Sequence, residues 1–270
     1  MLDKFFHETL RLPYRLHVAH DRHVSDEKVT LVFWHGIGAT SKVWNWNKVI
    51  DTISNNHSFD HARLVTFDLL GFGKSPAPSW LDYTTDDHLR SLHHTLRKLR
   101  IKTPVILIGH SMGSLLAVEY VATYPKEKIS ALMLASPPFL QHAKSKTLFD
   151  RLYRKIYNKL LTAIQIQQLD TVVDSFEKFT SFEPDTANQE AFQRSIQHVV
   201  INSRAFDQMK KLRLPIHIFH GSLDFLVNGG NLKAFANQKN VVIHTTPSGH
   251  DIVGLKRNQL IETLAKLVRK

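Results

Sequence analysis

Residues 105–122 constrain this 270-residue chain more than any other stretch. The apolar run Val105-Ile106-Leu107-Ile108 reads as a buried parallel strand, and Leu115-Leu116-Ala117-Val118-Glu119-Tyr120-Val121-Ala122 reads as a buried helix. Between them stands Gly109-His110-Ser111-Met112-Gly113. A chain that passes from strand to helix in so few residues must turn sharply, and the residues flanking the serine must be small. Such a turn holds the Ser111 hydroxyl clear of the sheet, at the positive end of the following helix, which is the geometry of a nucleophile elbow.

Strand-like and helical patterns alternate along the rest of the chain. Further apolar runs are Val29-Thr30-Leu31-Val32-Phe33-Trp34, Ala62-Arg63-Leu64-Val65-Thr66-Phe67, Ala131-Leu132-Met133-Leu134-Ala135, Pro215-Ile216-His217-Ile218-Phe219 and Asn240-Val241-Val242-Ile243-His244. This order predicts an α/β fold, a mostly parallel sheet flanked by helices on both faces. An antiparallel edge strand is expected over 12–20. A helix is expected over 84–100, with Leu89, Leu92, Leu96 and Leu99 on one face, Thr85 as N-cap, acids in its first turn and bases in its last.

The alternation breaks from 139 to 204, where no strand-like run occurs. Leu148, Leu152, Ile156, Leu160 and Ile164 recur there every four residues, after Ser136-Pro137-Pro138. The expected organisation is a core domain of residues 1–138 and 205–270 with a helical cap insertion at 139–204. The cap would lie over the C-terminal edge of the sheet, where ligands bind in open α/β folds.

Composition narrows the function classes. Hydrophobic residues make up 43% of the chain, yet no apolar run approaches the ~20 residues that span a bilayer, so no stable membrane insertion is expected. Acidic residues interrupt the N-terminus where a secretory signal needs an apolar stretch, and cysteine is absent, so the expected compartment is the cytoplasm. The net charge of +11 invites a nucleic-acid reading. However, the densest basic cluster, Lys210-Lys211-Leu212-Arg213, is short and has no aromatic platform interleaved, so no nucleic-acid partner is expected. The seventeen histidines are scattered without a zinc-site pattern, so neither metal nor cofactor is expected.

A serine hydroxyl is a poor nucleophile at neutral pH and needs a base, which in turn needs a group to fix its tautomer. The best base is His250, in Thr245-Thr246-Pro247-Ser248-Gly249-His250-Asp251, a loop following the last strand. His35 and His220, at other strand ends, are rivals, and His110 adjoins Ser111. The best acid is Asp224, in the loop after Phe219, with Asp251 as a rival. Asp68 also ends a strand, but its expected role is structural, bonding the backbone of the Gly71-Phe72-Gly73 turn. Two backbone N–H groups are expected to hold the oxyanion, that of Met112 at the helix start and that of Ile37 in His35-Gly36-Ile37-Gly38.

With these motifs together, and with Asp68-Leu69-Leu70-Gly71-Phe72-Gly73-Lys74-Ser75, the chain resembles the α/β-hydrolase superfamily, in its capped group of single-domain esterases. The order Ser111, Asp224, His250 is the order of that fold. The family places its acid after one of two strands, and the earlier place holds Ser136, which supports Asp224. Ser114 departs from the glycine many members carry. The resemblance implies a serine hydrolase that cleaves carboxylic esters or related small acyl compounds through an acyl-enzyme. The same triad would serve C–C bond hydrolysis of a β-diketone-like substrate, and a non-catalytic binding protein is the alternative of another class. Action on aggregated lipid is disfavoured by the absence of a clear amphipathic surface segment. Phe139, Leu140, Phe149, Tyr153, Phe176, Trp34 and Trp80 are candidates for an acyl pocket or, alternatively, for plain packing between cap and core.

Overall fold

The computed structural model describes residues 2–10, 12–141, 148–165 and 189–269. Seven strands form one sheet in the order β1-β3-β2-β4-β5-β6-β7. They are β1 (Val18–Arg22), β2 (Val29–Trp34), β3 (Ala62–Phe67), β4 (Val105–His110), β5 (Ile129–Ala135), β6 (Ile216–Gly221) and β7 (Val241–Thr246). Only β1 runs antiparallel, against β3; the other neighbours pair in parallel. The fold is therefore the expected one.

Both faces of the sheet are covered, which explains the unbroken apolar runs. Alternate residues of one strand go to opposite cores. Val32 and Trp34 join Val65, Phe67 and Leu107 on one face, with helices α1 (Thr85–Lys98) and α2 (Met112–Thr123). Leu31 and Phe33 join Leu64, Ile106 and Ile108 on the other, against Ile50, Ile53, Leu260 and Leu264. Helix α2 is buried from Met112 to Tyr120, so it is apolar nearly all round. Its one charge there, Glu119, accepts hydrogen bonds from Ser203 Oγ (3.0 Å) and Arg204 N (2.8 Å). A buried carboxylate is tolerable only when so partnered.

Two local expectations need correction. The edge strand begins at Val18 rather than near 12; upstream, Tyr14 and Leu16 are buried as irregular chain, with Leu16 N donating to Thr95 Oγ1 at 2.9 Å. The N-cap of α1 is Thr84, not Thr85, because only Thr84 stands three residues before Asp87 and completes a reciprocal capping box. The expected helical spacing after 147 is met by α3 (Leu148–Gln165), in which Asp150 and Tyr157 are buried, Ile156 packs against the main core and Leu152 is 51% exposed.

Between β5 and β6 the described residues form helix and no strand. The inner side of α3 lies on the loop after β6. Tyr153 OH donates to Val227 O (3.1 Å), Tyr157 OH to Leu226 O (3.0 Å), and Asn231 Nδ2 to Asp150 Oδ1 (2.7 Å). Helix α4 (Gln189–Ser195) continues into a wider helical turn at Ile196–Ile201, whose Ile196, Val199 and Val200 belong to the sheet's own core. Among the described residues no helix is long and apolar enough to cross a membrane.

Two fully buried histidines, His35 and His88, are pushed down to about 4 by burial. Their ordinary value is 6.5, so between about pH 6.5 and pH 4 the unfolded chain binds protons that the folded chain refuses. Stability should therefore fall on acidification through that window, by about 1.4 kcal/mol per pH unit for each such group, and level off below it. Urea unfolding at stepped pH measures this. His88→Gln, which keeps a polar partner for Ser195 Oγ, should make the slope shallower. A flat profile down to pH 4 would contradict the assignment.

Candidate active site

Ser111 occupies the junction of β4 and α2 with φ 50° and ψ −117°, a backbone conformation that L residues rarely adopt. The surrounding glycines are required by backbone, not by flexible side chains. A Cβ on Gly109 would lie 2.5 Å from Gly113 O, and one on Gly113 would lie 2.4 Å from Trp34 O. The turn is tied to β5 by Ser111 N donating to Ala135 O at 2.8 Å. Ser114, the departure from the family's glycine, puts its hydroxyl on Gly109 O (2.8 Å) and Ala135 O (3.1 Å), so the extra side chain braces the same turn.

The structure brings the loop after β2 to the serine. A Cβ on Gly36 would lie 3.1 Å from Ser111 Cβ, so Gly36 and its neighbour Ile37 pass directly beside the turn. Met112 opens α2, and N–H groups in a first helical turn have no acceptor within the helix.

His250 and Asp224 meet. His250 Nδ1 donates to Asp224 Oδ2 at 2.8 Å, with the side chains 4% and 0% exposed. This leaves Nε2 as the ring nitrogen available for proton transfer. Asp224 Oδ1 accepts from Leu226 N at 2.9 Å. Burial penalises the Asp224 charge, yet the charge of His250 and the hydrogen bonds from His250 and Leu226 outweigh it, holding the carboxyl below its usual value. The two loops interlock through backbone. Ser222 N donates to Thr246 O (2.8 Å) and Leu223 N to Ser248 O (3.1 Å). Gly221 packs so closely that a Cβ there would lie 2.0 Å from Ser248 O.

The rival residues are occupied elsewhere. His35 donates from Nδ1 to Gly36 O (2.7 Å) and accepts at Nε2 from Leu69 N (2.9 Å), so both ring nitrogens are used. His220 is likewise held by Gly221 O (3.1 Å) and Thr245 Oγ1 (3.0 Å). Asp251 caps the short helix Ile252–Leu255, accepting from Gly254 N at 3.3 Å. Asp68 is structural, as expected, though its carboxylate takes Ser41 N (2.9 Å), Ser41 Oγ (2.6 Å) and Lys74 N (3.0 Å) rather than the Gly71-Phe72-Gly73 backbone. Among the described residues no cluster of three or more acidic or histidine side chains could hold a metal ion.

Of the pocket candidates, Trp34 is a core residue, edge-on to Tyr120 at 5.4 Å. Phe139 and Leu140 are buried in the main core. Trp80 lines a separate groove of about 560 Å³ with Leu81, Asp82, Thr123 and Tyr124. The Phe149 side chain and Phe176 lie outside the described residues. Sequence reasoning missed a contact made by Ser136, whose Oγ donates to His250 O at 2.8 Å. The only available signal was its place at the end of β5, beside the serine-bearing strand.

The alpha/beta hydrolase fold family matches residues 29–163, half of the chain, and the chain belongs to that family. Its curated relatives include the probable lysophospholipase BODYGUARD 4 of Arabidopsis thaliana, 28% identical over 49% of this chain and 30% of that protein. Lipase 3 of a Moraxella strain is 30% identical over 48% of this chain and 38% of that protein. The 2-hydroxy-6-oxo-6-(2'-aminophenyl)hexa-2,4-dienoic acid hydrolase of Metapseudomonas resinovorans is 32% identical over 40% and 34%. The chain thus spans about a third of the length of these relatives. Among solved structures, an esterase from Exiguobacterium antarcticum superposes with a TM-score of 0.73 at 20% identity, over 94% of this chain and 96% of that one. The chain thus has the alpha/beta hydrolase fold, and the proteins it is similar to include a probable lysophospholipase, a lipase and a dienoic acid hydrolase.

The interlocked loops generate a test of their own. Gly221→Ala must displace the backbone of Ser248 and Gly249, and overpacking of this kind costs about 1–3 kcal/mol. Gly249→Ala, with nothing within 4 Å of the new Cβ, should change stability by no more than about 0.5 kcal/mol. Paired urea titrations read the difference. Equal effects at the two positions would mean that the loops are not packed as described.

Proposed function

We propose that the protein is a serine hydrolase of carboxylic esters or related small acyl compounds, with Ser111 as nucleophile, His250 as base and Asp224 as the group that orients it. The observation that carries this is the buried 2.8 Å hydrogen bond between His250 Nδ1 and Asp224, with the His250 ring 5.2 Å from that of His110, the residue before the serine in the sharp strand-to-helix turn.

Ser111 Oγ attacks the acyl carbon as His250 Nε2 takes its proton. Negative charge then develops on the carbonyl oxygen, where the N–H groups of Met112 and Ile37 stabilise it; loss of one such donor typically costs about 3 kcal/mol of barrier. The imidazolium that forms is stabilised by Asp224, which stays ionised because its carboxyl is held below the ordinary value. His250 returns the proton to the leaving alcohol and then activates water against the acyl-enzyme. This cycle calls on no cofactor.

The helical segment between β5 and β6 is read as the cap. Supporting this, helix α3 rests on residues 226–231, directly downstream of Asp224. The names of the curated relatives, lysophospholipase and lipase among them, favour an acyl ester over other substrates.

Turnover of p-nitrophenyl esters of increasing chain length tests this reading. Ser111→Ala should fold normally and lose on the order of 10⁶ in kcat. Asp224→Asn should lose about 10⁴, as a triad does when its histidine takes the wrong tautomer. Asp251→Asn should stay within a few-fold of the wild type, because that carboxylate caps a helix. Undiminished turnover by folded Ser111→Ala would end the proposal, and a reversal of the two aspartate effects would reassign the acid.

A further inference from the structure

We propose that Ser136 and His110 are positioning residues for the base, gripping the backbone carbonyl of His250 from two neighbouring strand ends; this rests on the serine-hydrolase reading above. His250 belongs to a loop between β7 and the short helix Ile252–Leu255. Its ring is held at Nδ1 by Asp224, but the hydrogen bond fixes only the ring, and the backbone that carries the ring needs its own restraint.

That restraint comes from the sheet. Ser136 Oγ donates to His250 O at 2.8 Å and His110 Nε2 donates to the same oxygen at 3.3 Å. A third donor, Ile252 N at 2.9 Å, belongs to the same loop and cannot register it against the sheet. His110 is the residue immediately before Ser111, and it pairs in register with Ala135, the residue immediately before Ser136. Ser111 N is itself bonded to Ala135 O. The nucleophile and both donors are therefore one rigid block, and they fix the base relative to the serine.

Each donor shows features that packing alone does not call for. Ser136 is fully buried and holds φ 48°, a conformation costly for a residue with a Cβ, while its N–H is bonded to Phe219 O at 2.7 Å. Glycine would suit that backbone better, so the hydroxyl is what serine adds. His110 is buried, with Nδ1 unpartnered and turned toward Gly36, where even a Cβ would approach it to 3.0 Å. Burial, and next the charge of His250, push its ring down to about 4, so it stays a neutral Nε2–H donor while the neighbouring ring, 5.2 Å away, takes a proton.

A base displaced by about 1 Å from its nucleophile can lose on the order of 10² in rate. Ser136→Gly removes the hydroxyl while suiting the backbone, and should lower kcat at least 10-fold with KM within about two-fold and no loss of thermal stability. His110→Leu should also lower kcat at least 10-fold, and His110→Gln, whose amide N–H reaches a similar distance, should recover part of that loss. The assay includes Ser111→Ala. Wild-type kcat in both Ser136→Gly and His110→Leu, beside an inactive Ser111→Ala, would overturn the grip alone. Turnover by Ser111→Ala would instead remove the reading on which it rests. Loss of stability in Ser136→Gly in proportion to its loss of kcat, or no recovery in His110→Gln, would reduce the contacts to packing and overturn the positioning role.

Discussion

The close approach of α2 to the end of β2 is the constraint on which the rest depends. Gly113 lies so near the carbonyls of Trp34 and His35 that not even a Cβ fits between them. Because the helix starts that close, the chain has only Ser111 in which to turn from β4 into α2, and it must do so at positive φ. The strain is held by what surrounds it: the hydrogen bond from Ser111 N to Ala135 O, the hydrogen bonds of Ser114 Oγ to Gly109 O and Ala135 O, and the apolar burial of α2 on both sides. The same approach carries the loop of Gly36 and Ile37 to the serine, so one packing event assembles both the strained serine turn and the proposed oxyanion donors.

A second close approach does for His250 what the first does for Ser111. Gly221 lets the loop bearing Asp224 lie against Ser248 and Gly249, and this places the carboxylate on His250 Nδ1. A buried carboxylate without a partner would be strongly unfavourable, so the pair, proposed above as catalytic, is also a condition for burying the loop. Helix α3 then packs on the loop through two tyrosine hydroxyls, which ties its placement to the chain just after Asp224.

The strands were legible because a sheet covered on both faces needs continuous apolar runs, and such runs are plain in the sequence. Their ends were less legible. β4, β6 and β7 each continue past the apolar run into His110, Gly221 and Thr246, since the hydrogen-bond ladder does not depend on side-chain polarity. Ser111, Asp224 and His250 could be picked out because each follows a strand at the edge where such folds bind ligands, and the structure brings the last two together. The grip on His250 O could not be read at all. It joins residues 114 and 140 positions away to a backbone oxygen, and no side-chain pattern encodes a backbone acceptor.

Covalent labelling by a fluorophosphonate, followed by peptide mapping, tests the proposed nucleophile itself. One phosphonyl group per chain is expected, on Ser111, with labelling slowed at least 100-fold in His250→Ala. A label on any other residue, or labelling of Ser111 that is indifferent to His250, would contradict it.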